Sequence, residues 1–114
     1  MTVYKRGDVV LAIFPNSDRI TFKKRPVLVV QNESVPTFLG QTIVAPITSN
    51  QGRVSPAMLP VKAGSPEHKS MGLVSDSVIN LETLTTLAPR EIAKKIGACD
   101  LLDFDPPLRV LLGL

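Results

Sequence analysis

Pro26-Val27-Leu28-Val29-Val30-Gln31-Asn32 is a run of Val and Leu between a proline and a Gln-Asn pair. Its length suits a strand better than a helix, and β-branched side chains favour a pleated, buried surface. On either side the pattern returns, in Asp8 to Phe14 and in Gln41 to Thr48, each rich in Val, Ile and Leu and bounded by turn formers. Ala57 to Val61 and Gly72 to Leu81 are weaker versions of it. Ten prolines and seven glycines fall at short intervals and leave little room for long helices. Helix signals come late. Pro89, the stretch Arg90 to Ile96 and then Gly97 predict a short helix near 89–96. Asp105 followed by Pro106, with Leu108, Leu111 and Leu112 at helical spacing, predicts a C-terminal helix capped by Asp105. The expected fold is mainly β, a small barrel of five or more strands finished by short helices. A length of 114 residues predicts one domain over 1–114.

Leu, Ile, Val and Phe make up about a third of the chain and charged residues 20%, enough apolar matter for a packed core. The longest apolar run, Val9 to Phe14, is far too short to cross a bilayer or to serve as a signal sequence, so a cytoplasmic protein is expected, without a membrane. One cysteine, Cys99, and one histidine, His68, leave no internal disulfide and no zinc site. Residues 1–69 hold nine Lys and Arg against four Asp and Glu, and residues 70–114 hold four against six. The densest cluster is Arg19, Lys23, Lys24 and Arg25, a composition that attracts phosphate or acidic protein.

Elimination narrows the chemistry further. His68, in the polar stretch Gly64 to Lys69, reads as an exposed loop residue, and a single imidazole cannot supply a two-histidine acid–base pair. Asp100, Asp103 and Asp105 lack the glycine and closing glutamate of a calcium loop. No glycine belongs to a nucleotide-binding motif, and Cys99 reads as core. What is left is Arg25 at the start of one strand and Thr48 at the end of another. If those strands are antiparallel neighbours, the two lie at one end of the sheet. A guanidinium beside a hydroxyl, with Lys23 and Lys24 close by, can hold and stabilise a phosphodiester.

Arg6-Gly7-Asp8-Val9-Val10, Lys24-Arg25-Pro26-Val27-Leu28-Val29-Val30, Val44-Ala45-Pro46-Ile47-Thr48-Ser49, Asp76-Ser77 and Ile96-Gly97, in that order over nearly the whole chain, resemble the MazF/PemK family of toxin–antitoxin endoribonucleases. The resemblance implies an SH3-like barrel with a C-terminal helix, a homodimer, an acidic antitoxin, and growth inhibition by sequence-selective cleavage of single-stranded RNA without metal or cofactor. It matches Arg25 and Thr48 to the catalytic arginine and threonine, and Asp76 to an acidic position that helps bind or activate RNA. Arg19, Lys23, Lys24, Ser49, Asn50 and Ser77 are the expected RNA contacts. The expected chemistry is attack of the 2′-OH on its own phosphate, giving a 2′,3′-cyclic phosphate and a 5′-OH, with Asp76 as base. The alternatives are a catalytically silent, protein-binding toxin like CcdB or a nucleic-acid-binding module. Few aromatic residues count against the module.

Overall fold

The computed structural model describes residues 4–15, 18, 20–50, 52 and 55–114. Seven strands and two helices follow in the order β1 (Asp8–Pro15), β2 (Phe22–Val29), β3 (Thr42–Ser49), β4 (Met58–Val61), α1 (Pro66–Ser70), β5 (Ser77–Asn80), β6 (Thr85–Leu87), β7 (Ile92–Ala98) and α2 (Leu101–Leu112). All pairings are antiparallel, in the order β4-β5-β3-β2-β1-β7, and β6 pairs with β3 on the edge that β5 also uses. The mainly β reading and the C-terminal helix hold. Among the described residues the expected barrel does not close, because β4 and β7 end the path without pairing to each other.

The three apolar runs became the three central strands because each buries residues on both of its faces. Val9, Leu28, Ala45 and Ile47 join one cluster with Phe104 and Leu108 of α2 and Met71 after α1. Val10, Ala12, Val27, Val29 and Val44 join a second with Leu87, bordered by Tyr4 and Ile92. A strand buried on both sides reads as a continuous apolar run, and that is what the sequence presents.

Two helix assignments change. The segment near 89–96 is not a helix: Pro89–Glu91 forms a single 3₁₀ turn, and Ile92–Ala98 is strand β7 on the edge of β1. Ala93, Lys94 and Lys95 favour helix on their own, but pairing with β1 prevails, with register shifts beside Val10 and Ala12. The C-terminal helix begins earlier than Asp105. Asp100 is its cap, its Oδ1 accepting from the Leu102 amide at 3.0 Å, and Pro106 and Pro107 lie inside the helix. Burial of Phe104 and Leu108 holds that helix together although two prolines interrupt its hydrogen-bond ladder. Asp105 instead takes Arg6 at 2.5 Å and Arg109 at 2.9 Å. His68 is also corrected: it lies on α1 at 6% exposure, not on an exposed loop. Ser65 caps that helix and Pro66 opens it, a start signal concealed within polar sequence.

Candidate active site

The site arises where β3 changes partner. Val44 to Pro46 pair with Val29 to Val27 of β2, while Ile47 to Ser49 pair with β5. Carried two residues further, the β2–β3 register would set Arg25 opposite Thr48, but the ladder ends at Val27 and Pro46. Pro46 has no N–H with which to continue it. Beyond that point, among the described residues, β2 keeps only β1 and β3 keeps only β5, and a gap opens between them.

That gap is the mouth of a cavity of about 380 Å³. Leu11, Pro26, Ile47, Leu73 and Ile96 give it apolar surface; Lys23, Lys24 and Arg25 of β2 and Lys94 of β7 give it positive charge. Thr48, Ser49, Ser75 and Ser77 add hydroxyls, and none of its described lining residues is acidic. Lys94 reaches it through register: it pairs with Leu11, which pairs with Pro26, so three neighbouring strands form one wall. The fourth side is the segment 72–77. Gly72 and Gly97 allow it to approach β7 backbone to backbone, since a Cβ on Gly72 would overlap the Ile96 carbonyl and one on Gly97 would overlap Ser70 and Met71. Gly72 also has φ +71°, a conformation other residues adopt at a cost.

Of the sequence-derived candidates, Arg25, Thr48, Lys23, Lys24, Ser49 and Ser77 line this one cavity. Arg25 and Thr48 are exposed at its mouth. Asp76 and Asn50 are not among its lining residues. Asp76 Oδ1 accepts the Ala63 amide at 2.5 Å, and its carbonyl accepts the Asn50 amide at 3.1 Å. Arg19 lies outside the described residues. Sequence reasoning missed Lys94 and Ser75. Lys94 lay in the supposed helix, and a strand reading of 92–98 beside β1 would have found it.

Cys99 is buried, as expected of a core residue. Burial, with Asp103, Asp100 and Glu67 nearby, pushes its thiol up to about 11, so it is protonated at neutral pH and a poor nucleophile. Four cations around hydroxyls and apolar surface can bind an extended polyanion and stabilise negative charge developing on it.

A family model described as PemK-like, MazF-like toxin of type II toxin–antitoxin system matches residues 5–111. Among solved structures, the Mycobacterium tuberculosis toxin MazF-mt6 is similar at TM-score 0.68 and 27% identity, over 93% of this chain and 92% of that one. A chain of a MazE–MazF crystal structure from Deinococcus radiodurans is similar at TM-score 0.73 and 22% identity, over 100% of this chain and 99% of that one. An endoribonuclease from a mycobacterial species, solved with its cognate antitoxin, is similar at TM-score 0.67 and 18% identity, over 100% and 97%. The last two, at such identity, speak for the fold.

Proposed function

Because this chain belongs to the PemK-like, MazF-like toxins of type II toxin–antitoxin systems, we propose that it is an endoribonuclease and that it cuts single-stranded RNA in the cationic cavity. The observation that carries this reading is the convergence of Arg25, Thr48 and Lys94, from three strands, where β3 leaves β2. The 2′-OH loses its proton to water and attacks the adjacent phosphorus, the bond to the 5′ oxygen breaks and that oxygen takes up a proton from water, and the products are a 2′,3′-cyclic phosphate and a 5′-OH. Arg25 stabilises the extra negative charge on the phosphorane, and the Thr48 hydroxyl donates to a nonbridging oxygen. Lys23, Lys24 and Lys94 hold the flanking phosphates. Protein cations around the cavity suit a reaction in which the counter-charge comes from side chains and not from a metal. Dependence on the 2′-OH confines the enzyme to RNA.

Asp76 is a wall-holder in this reading, because its carboxylate already receives the Ala63 amide. The partners are a second copy of the chain, which lengthens a shallow groove, and an acidic antitoxin segment lying over the Lys23–Lys24 end of β2.

The test is incubation of the purified protein with naked single-stranded RNA in excess EDTA. Shortened RNA with cyclic-phosphate and 5′-OH ends is expected. Cleavage that stops with EDTA, or that leaves a 5′-phosphate, overturns the mechanism. RNA left whole with and without added divalent metal overturns the enzyme reading in favour of a toxin that acts by binding protein.

A further inference from the structure

The chain's one histidine sits directly behind the cavity wall. His68 is 6% exposed on α1, and its Nε2 is 2.9 Å from the carbonyl oxygen of Ser75. A carbonyl only accepts, so Nε2 carries the proton and donates. The Ser77 hydroxyl donates to the same oxygen at 2.7 Å. The backbone repeats the link, with the Leu73 amide donating to the His68 carbonyl at 3.2 Å. Ser75 and Ser77 both line the cavity, and His68 does not. Two side-chain donors on one carbonyl fix the plane of the Ser75–Asp76 peptide, and planarity turns the Asp76 N–H to the opposite side. The next residue is fixed as well, its carboxylate and carbonyl taking the Ala63 and Asn50 amides. At the other end of the segment Gly72 is set against Ile96.

We propose that His68 is a positioning residue: through Ser75 it sets the 73–77 wall of the cavity for the RNA backbone without touching RNA itself. This rests on the reading of the cavity as the RNA site. Arg25 and Thr48 stand on β2 and β3, outside this wall, so losing the His68 bond should weaken RNA binding more than the chemical step. His68→Leu keeps bulk and removes the donor; His68→Gln places an amide N–H near the position of Nε2.

The expected result is a KM for RNA raised about tenfold in His68→Leu, the size of one neutral hydrogen bond, with kcat within about threefold and with His68→Gln close to wild type. An unchanged KM in folded His68→Leu overturns the proposal. So does a His68→Gln variant as impaired as His68→Leu, since the residue would then act by packing alone. Two NMR measurements need no cleavage. In the wild-type ring the proton should be on Nε2, and a proton on Nδ1 alone overturns the proposal even if His68→Leu fails to fold. The amide resonances of Ser75, Asp76 and Ser77 should shift in His68→Leu and return in His68→Gln. If wild-type protein leaves all RNA intact, the cavity reading fails by itself, and these resonances still decide whether His68 holds the wall.

Discussion

Gly72 and Ile96 meet backbone to backbone across the cavity wall, with no room for a Cβ between them. Gly72→Ala must therefore shift β7 or the wall, while also forcing a side chain into a left-handed conformation. A loss of roughly 2–4 kcal/mol is expected, read from the urea midpoint. Gly97→Ala, which meets the Ser70–Met71 backbone from the other side, should cost a similar amount. A midpoint unchanged in both variants would mean that the two segments are not in contact.

Removing a preorganised charge donor from a site of this kind typically costs ~10²–10³ in rate. Arg25→Ala should lose that much in kcat, and Thr48→Ala should lose less because a neutral hydroxyl stabilises less charge. Lys94→Ala should chiefly raise KM and flatten the dependence of binding on salt. Single-turnover cleavage at several ionic strengths separates these outcomes.

Asp76→Asn discriminates a structural carboxylate from a base. The amide side chain keeps an oxygen for the Ala63 N–H, so cleavage should stay within about threefold of wild type, whereas a general base commonly contributes ~10²–10⁴. Loss of activity on that scale in a folded Asp76→Asn protein would return Asp76 to the chemistry.

An acidic antitoxin segment over Lys23 and Lys24 would be steered by their charge. Lys23→Glu with Lys24→Glu should weaken antitoxin binding at low salt and narrow the difference between low and high salt, as surface plasmon resonance would record. An affinity unchanged from wild type at both low and high salt would remove the segment from this end of β2.

The Arg109 hydrogen bond, aided by the charges of Arg109 and Arg6, holds the Asp105 carboxyl below its usual value. A folded-state pKa below the unfolded one adds stability above the unfolded value and loses it as pH falls through the folded value. Denaturant midpoints should therefore fall between about pH 5 and pH 2 more steeply in wild type than in Asp105→Asn. High salt should reduce the contrast, since the group is solvent-facing.

The central strands were legible because burial on both faces writes long Val and Leu runs, and Thr48 does sit at the end of its strand; Arg25, expected to open its strand, instead lies within β2, which begins at Phe22. The change of partner at Pro46 was not legible: it depends on where β5, 30 residues later, meets Ile47. Lys94 was hidden for a related reason, as Pro89 and Gly97 punctuate a strand in the way they would punctuate a helix. Gly97 in fact serves close approach to Met71. His68 lies among polar neighbours in the sequence, and its burial and its bond to the Ser75 carbonyl come from tertiary contact that this stretch does not announce. Asp105 before Pro106 looked like a cap, yet its partner Arg6 is 99 positions away in sequence.

One wall of the cavity belongs to β7, which supplies Lys94 and Ile96 and pairs with the first strand of the chain. A nascent polypeptide cannot assemble that wall until residues 92–98 have left the ribosome. The site is thus a late product of synthesis, and a chain truncated before this strand would lack one of its walls.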